Sequence, residues 1–216
     1  MKRFWLVLNL FVVLLFNFAC RQEDVRRDAP DVSAEKPPLA EIESPVIKAV
    51  LESALEQTKI TTGYTQDYFV IPYPMGDVPA QTGACTDVVI RAFRRAGVDL
   101  QKEVHEDMRA NFALYPKKWG LPKPDTNIDH RRVPNLQTFF TRKGKSMPAS
   151  LQAAKYRPGD VVTWDIDGKG MTHIGLVSHL WNEAENRYLI IHNIGGGTRV
   201  DDVLFRWKIT GHFRYF

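Results

Sequence analysis

The sequence lacks the features that mark several common protein classes. Its 216 residues include only two cysteines. It contains no internal repeat, no glycine-rich phosphate loop after a predicted strand and no metal-ligand spacing. Its formal net charge is only +4, and removal of Lys2 and Arg3 with a leader would lower that charge to +2. The composition therefore gives no indication of a nucleic-acid partner.

The N-terminus predicts export rather than a membrane-spanning helix. A short basic start precedes an apolar run over residues 4–16, which is too short for a membrane span and typical of a secretory signal peptide, expected over 1–19. Cys20 directly follows Ala19 and resembles the lipobox of bacterial lipoproteins. We therefore expect lipidation of Cys20 and location in the cell envelope (periplasm). The alternative is an ordinary cleaved signal with an incidental cysteine.

Residues 20–44 are rich in Pro, Asp, Glu and Arg and poor in large apolar side chains. Such a segment buries too little apolar surface to fold by itself, so we expect a lipoprotein tether. Residues 45–216 are numerous enough for one domain with its own core. The chain is expected to act as a monomer that contacts the membrane only through its lipid anchor.

Cys85 is the central residue of the functional prediction. If Cys20 is lipidated, Cys85 is the only thiol of an exported chain, and no intrachain disulfide can form. An unneeded thiol is a liability where thiols oxidise, which favours a reactive role for Cys85. The alternative is that Cys85 is a small buried apolar residue.

The spacing predicts that Cys85 begins a helix. Asp87 lies in its first turn, and Gly97 is placed as a C-cap glycine. Apolar residues follow the cysteine at helical spacing, namely Val88, Val89, Ala92, Phe93 and Ala96. The unpaired amides and the dipole at a helix N-terminus lower the pKa of a thiol, so we expect an available thiolate nucleophile.

The rest of the pattern places helices first and an antiparallel β meander afterwards, which defines an α+β fold. Ser44 and Pro45 suit the cap and first residue of the first helix. The further helices are expected over 45–59, 100–114 and 135–143. Strands are expected over 68–73, 161–164, 174–178, 188–192 and 209–215.

Two histidines lie at the ends of neighbouring predicted strands. His173 opens one strand and His192 ends the next, and the polar segment between them suits a hairpin turn. A turn centred near Asn182 places His173 directly opposite His192 on one face of the sheet. A slip of one residue would place them on opposite faces.

Structural and metal-binding alternatives remain at these positions. A histidine at a strand end is more often a hydrogen-bonded structural residue than a catalytic one. Zinc binding by His173 and His192 is disfavoured because no third His, Asp or Glu completes the site and Cys85 would be the only soft ligand. No metal or organic cofactor is expected.

The order of these motifs resembles the papain-like cell-wall peptidases of the NlpC type. The shared features are Tyr73 and Gly76 before a cysteine that opens a helix, then the turn 158–160, then the strand 173–177 and finally His192. The resemblance implies a papain-like fold, with N-terminal helices packed on an antiparallel β-sheet.

The same resemblance implies roles for individual residues. Cys85 is the nucleophile, His173 is the base, and His192 or its neighbour Asn193 orients the base. The backbone amide of Cys85 and the hydroxyl of Tyr73 are expected to stabilise the oxyanion.

A closer resemblance is to a bacterial family, domain of unknown function 1287, and it covers nearly all of residues 45–216. It is carried by the segments 73–79, 85–91, 129–136 and 191–195. The chain departs from the peptidase pattern at Asp77, in place of a loop glycine, and at Asp87, two residues after the cysteine. These acids and the Arg131-Arg132 pair are candidates for binding a charged substrate group. The alternative is that they are solvated surface residues without a role in binding.

These observations predict an exported cysteine hydrolase, a peptidase or amidase, that acts on an amide bond in the cell envelope. The expected substrate is the peptide stem of peptidoglycan or another envelope peptide. Two alternatives stay open. One is a catalytically silent module that binds a peptide or glycan, and the other is an acyltransferase or esterase that uses the same thiol.

Overall fold

A computed structural model describes residues 42–216. The signal peptide, the lipidation of Cys20 and nearly all of the tether lie outside the described residues. Within that part, the chain has an α+β architecture of four α-helices and one six-stranded antiparallel sheet. None of the described helices is long and apolar enough to cross a membrane.

The helices lie close to the predicted positions. Ser44 caps α1, because its hydroxyl accepts from the amide of Ile47 at 3.4 Å, and Asp99 caps α3. Gly97 follows α2 with a φ of +82°, a conformation that favours glycine. The four helices are α1 (Pro45–Ile60), α2 (Cys85–Arg95), α3 (Leu100–Asn111) and α4 (Val133–Arg142).

The sheet is a meander whose last strand returns to its beginning. The strands are β1 (Ser146–Met147), β2 (Val161–Asp165), β3 (Thr172–Asn182), β4 (Arg187–Asn193), β5 (Thr198–Asp201) and β6 (Lys208–Phe213). Their spatial order is β1-β6-β2-β3-β4-β5. The return of β6 to pair with β2 and the short strands β1 and β5 were not predicted from the sequence.

Two apolar clusters cover the two faces of the sheet. Ile174 and Leu176 of β3 pack with the helices in the larger cluster. Val177 packs on the other face with Trp164. Because side chains alternate along a strand, His173 belongs to the face of Val177, and it contacts the ring of Trp164 there.

The predicted strand over 68–73 is wrong. Residues 61–84 form a long irregular segment whose backbone groups bond to side chains instead of to a neighbouring strand. The amide of Ile71 donates to Asn127, and the carbonyls of Thr65 and Asp67 accept from Arg131. A β-prone composition was therefore overridden by tertiary partners.

A buried ion pair joins this irregular segment to α2. The carboxylate of Asp87 accepts from Nε and Nη2 of Arg131 at 2.9 and 3.0 Å, and the side chains are 3% and 2% exposed. The same carboxylate accepts from the amide of Ala84 at 2.6 Å. Because Ala84 is the N-cap residue and has no polar side chain, Asp87 caps α2 directly in front of Cys85.

Replacement of Arg131 by Gln should destabilise the fold strongly. The substitution leaves the Asp87 carboxylate buried without its counter-charge, which costs about 3 to 5 kcal/mol. Urea unfolding followed by circular dichroism measures the loss. The matched control is Arg187→Gln, which breaks a partly exposed pair with Asp202 and should cost at most about 1 kcal/mol. Equal losses in both variants would contradict the central role of the buried pair.

Candidate active site

Cys85 is the first residue of α2 and is almost buried, with 6% of its surface exposed. It is a free cysteine. The backbone amides of Ile174, Thr86 and Cys85 itself lie near the sulfur and lower its pKa. This arrangement matches the expected position of a thiol at a helix N-terminus.

The expected thiolate is not the resting state. Burial, together with a smaller contribution from the nearby Asp87 carboxylate, raises the pKa of the Cys85 thiol to about 12. The amide and dipole effects on which the sequence prediction rested are present, but desolvation of the charged form outweighs them. The sulfur is therefore protonated at neutral pH.

The structure brings the two predicted histidines together. Nε2 of His173 lies 2.8 Å from Nδ1 of His192, and both side chains are buried. Trp207 lies against both rings. The pair is a hydrogen-bonded unit inside the protein rather than two surface residues.

The hairpin register differs from the predicted one by two residues. The structure pairs Leu176 with Ile191, so that Gly175, and not His173, lies across from His192. A Cβ atom at Gly175 would lie 3.2 Å from the Cβ of His192. A shift of two residues keeps each side chain on its face, which is why the histidines still meet.

A third residue, which the sequence did not indicate, extends the pair. Oδ2 of Asp201 lies 3.1 Å from Nε2 of His192, and Arg199 donates to the same oxygen at 2.6 Å. Asp201 lies in β5, a strand that was not predicted, and its spacing from His192 carries no recognisable signal.

The hydrogen bonds fix the tautomers of both rings. A carboxylate accepts, so Nε2 of His192 carries a proton and Nδ1 of His192 is an acceptor. Nε2 of His173 must then donate to that acceptor. The unprotonated nitrogen of His173 is consequently Nδ1, which is the atom that can receive a proton.

Burial keeps both rings neutral. Desolvation, together with smaller contributions from His192 and Arg199, lowers the pKa of His173 to about 3. Burial also lowers the pKa of His192, against the opposing effect of Asp201. The resting site thus combines a neutral thiol with neutral imidazoles.

Cys85 approaches the residues on either side of His173 at the beginning of β3. The sulfur lies near the amide of Ile174, which follows His173. Thr172, which precedes His173, lines the same cavity as Cys85. Among residues 42–216 no hydrogen bond joins the thiol to the His173 ring, which lies on the sheet face of Trp164, whereas Cys85 belongs to the cluster on the helix-covered face.

Cys85 opens into a cavity of about 390 Å³, a volume suited to a small ligand or a few residues of a peptide. Residues of the irregular segment, of the loop before α4 and of β3 form its walls. The lining residues are Gln66, Tyr68, Ala84, Cys85, Trp119, Ile128, Arg131, Arg132, Val133, Pro134 and Thr172.

Two predicted substrate-binding residues lie away from this cavity. Tyr73 is 40% exposed and packs its ring against His105 of α3. Asp77 pairs with Arg91 and Arg94 and so attaches the irregular segment to α2. Neither residue is among those that line the cavity.

Asp87 and Asn193 lie near the cysteine, but their side chains already form hydrogen bonds within the protein. Asp87 is occupied by Arg131 and the amide of Ala84. The amide group of Asn193 donates to the carbonyls of Gly63 and Gly83 at 3.0 and 2.9 Å. Asn193 therefore fixes the chain in front of α2, and His192 is the residue that contacts His173.

Tyr64 is a site residue that the sequence analysis missed. Burial raises the pKa of its phenol, and the nearby Cys85 sulfur contributes to the increase. Its hydroxyl accepts from Nε2 of Gln66, a lining residue of the cavity. The motif that suggested Tyr73 gives no indication of Tyr64, because only the course of the irregular segment brings Tyr64 to the cysteine.

The described residues contain no group of three or more His, Cys, Asp or Glu side chains arranged to hold a metal ion. One acid and two histidines form a chain of hydrogen bonds instead, from Asp201 to His192 to His173.

The fold and the site define an α+β protein with a cysteine at the start of a helix and a hydrogen-bonded His-His-Asp chain whose two histidines are buried. The chain belongs to the family described as domain of unknown function (DUF1287), whose model matches residues 51–215. It is 49% identical over 183 residues to the uncharacterized protein YijF of Escherichia coli (strain K12), a match that covers 85% of this chain and 88% of that protein.

Alkylation of Cys85 should have an alkaline pH profile. Because burial raises the thiol pKa to about 12, the iodoacetamide rate in the native protein should still rise between pH 9 and 10.5. Mass spectrometry of the Cys85 peptide measures the rate. The control is the same protein in urea, whose exposed thiol should level off near pH 9. A native profile that levels off below pH 9 would show a stabilised thiolate and contradict this prediction.

The fold should lose stability in mild acid. Burial, with nearby charges, lowers the pKa of both His130 and His173 to about 3. The unfolded chain takes up these protons near pH 6.5, so the stabilisation is complete above that pH and is lost as the pH falls toward 3. Each histidine should contribute a loss of at most about 3 kcal/mol at pH 4.5.

Urea unfolding at pH 7.5 and pH 4.5 measures this effect. In His130→Gln, whose side chain does not titrate, the difference in unfolding free energy between the two pH values should be smaller than in the unsubstituted protein. An unchanged difference would mean that His130 is already protonated in the native state.

Proposed function

We propose that the protein is an exported cysteine hydrolase, a peptidase or amidase of papain-like, NlpC-type architecture, that cleaves an amide bond in the cell envelope. The observation that carries the proposal is the chain from Asp201 to His192 to His173. It leaves Nδ1 of His173 as a lone-pair base, and His173 directly precedes Ile174, whose amide lies near the Cys85 sulfur.

In the acylation step, the thiol proton of Cys85 moves to Nδ1 of His173 as the sulfur attacks the carbonyl carbon of the substrate. The carbon–nitrogen bond then breaks, and the amine leaves with the proton from His173. The product on the enzyme is a thioester at Cys85. The neutral resting pair requires this proton transfer to accompany the attack.

In the deacylation step, His173 takes a proton from water as the water oxygen attacks the thioester. The carbon–sulfur bond breaks, the carboxylic acid leaves, and the proton returns to the sulfur. His192 holds the His173 ring in the required tautomer, and Asp201 holds His192.

Donors for the oxyanion are available beside the sulfur. The amides of Cys85 and Thr86 lie at the N-terminus of α2, where the helix dipole favours negative charge. The Tyr64 hydroxyl, which lies close to the sulfur, replaces Tyr73 as the proposed side-chain donor.

The proposed substrate is the peptide stem of peptidoglycan. The predicted signal peptide and lipidation at Cys20 direct the chain to the envelope, where stem peptides are an abundant amide substrate. The cavity at Cys85, at about 390 Å³, has room for a short peptide segment rather than for a whole glycan strand.

Incubation of the purified full-length protein with peptidoglycan and with isolated muropeptides tests the proposal. We expect new free amines and a matching new carboxylate, detected by liquid chromatography and mass spectrometry. Cys85→Ser and His173→Ala should abolish the products. The matched control is His179→Ala, which removes another histidine of β3 outside the site and should retain activity.

The other outcomes separate the alternatives. An acyl group on Cys85 that passes to an added amine or alcohol, without hydrolysis, would replace the hydrolase by an acyltransferase. Sedimentation of the protein with peptidoglycan, with neither cleavage nor an acyl adduct, would leave a binding module and contradict the proposal.

A further inference from the structure

The cavity at Cys85 has charged side chains of one sign only. Its lining includes Arg131 and Arg132 and no Asp or Glu. The remaining polar lining residues, Gln66, Tyr68 and Thr172, are neutral. A cavity of this composition favours an anionic ligand, provided that one arginine has free donors.

Every nitrogen of the Arg131 guanidinium already donates to the protein. Its Nε and Nη2 atoms bond to Asp87, and its Nη1 atom donates to the carbonyl of Asp67. Its side chain is 2% exposed. This guanidinium is a structural group.

Arg132 differs from Arg131 in each of these respects. Its side chain is 16% exposed, and only Nη1 donates to the protein, to Oδ1 of Asp129 at 3.0 Å. In the part of the chain that the structure describes, Nε and Nη2 of Arg132 have no hydrogen-bond partner. Two adjacent donors of a guanidinium are the geometry that binds a carboxylate through both oxygens.

The carboxylate that pairs with Arg132, that of Asp129, is buried. The side chain of Asp129 is only 3% exposed, accepts from the amide of Asp125 at 2.6 Å, and is not part of the cavity lining. Arg132 therefore lines the cavity, while its paired carboxylate is buried and does not line it.

Trp119 holds the guanidinium in place. The centre of the Arg132 guanidinium lies 4.1 Å from the centroid of the Trp119 ring, and Trp119 also lines the cavity. Stacking on an aromatic ring fixes the plane of the guanidinium and leaves its edge free for hydrogen bonds. The stack thus preorganises Arg132 for a planar anion.

We propose that Arg132 is the specificity-determining residue of this site, and that it binds a carboxylate that the substrate carries close to the bond attacked by Cys85. A sphere of 390 Å³ is about 9 Å across, which limits the distance between this carboxylate and the sulfur. The inference deepens the proposed function and rests on it for the identity of the reacting bond. It selects acyl substrates with an acidic side group or a free carboxyl terminus.

Two alkylating agents that differ only in charge test this inference without a known substrate. Iodoacetate carries a carboxylate, and iodoacetamide carries a neutral amide of the same shape. For each protein, the rate of iodoacetate at Cys85 is divided by the rate of iodoacetamide. This ratio is then normalised by dividing it by the same ratio measured in urea, where the cavity is absent. We expect a normalised ratio of about three or more in the unsubstituted protein at low salt.

Arg132→Gln should return the normalised ratio to about one while the iodoacetamide rate stays unchanged, since only the anion loses a contact. Arg132→Lys should retain part of the effect. The matched control is Lys118→Gln, which removes the same charge from an exposed neighbour outside the cavity lining and should keep the full ratio.

A ratio of one or less in the unsubstituted protein would overturn the inference, and so would a raised ratio that persists in Arg132→Gln. If that variant fails to fold, Trp119→Leu decides, because loss of the stack should lower the ratio and an unchanged ratio would overturn the inference. A raised ratio in a protein that hydrolyses no envelope peptide would instead overturn the proposed function alone.

Discussion

The buried ion pair between Asp87 and Arg131 is the constraint on which the candidate site depends. One carboxylate caps the first turn of α2 and binds a guanidinium that also holds the carbonyls of Thr65 and Asp67. The irregular segment and the N-terminus of α2 are thereby held together, with Cys85 between them. Because both charges are desolvated, loss of either partner leaves an unpaired charge in the interior, so the arrangement forms as a unit.

The same burial sets the chemical state of the site. It keeps the Cys85 thiol and the His173 ring neutral, against the amides and the helix dipole that favour a thiolate. A neutral pair agrees with a general-base mechanism in which the proton moves during attack, as in a serine hydrolase, rather than with a preformed thiolate–imidazolium pair. A neutral thiol is also less prone to oxidation, because the thiolate is the reactive form.

Sequence reasoning predicted the helices well and the functional residues in part. The 3.6-residue spacing of apolar side chains is a local property, so α1 and α2 were predicted to within one or two residues. His173 and His192 were predicted on the same face, as found, but in the wrong register, because the turn is centred further along the chain and β3 has an irregularity between Val177 and Trp181. Tyr64 was missed because it lies in the irregular segment, and Asp201 because the four-residue strand β5 is too short to show an alternating pattern.

The sequence alone determined the α+β class, the cysteine at the start of a helix and the histidines on one face of a hairpin, because these follow from local periodicity and capping. The tertiary structure decided which polar residues belong to the candidate site. In the structure, Asp87 forms a buried ion pair, Tyr73 and Asp77 contact residues away from the cavity, and Asp201 is hydrogen-bonded to His192. Those outcomes depend on desolvation and on contacts between distant segments, and no local pattern encodes either.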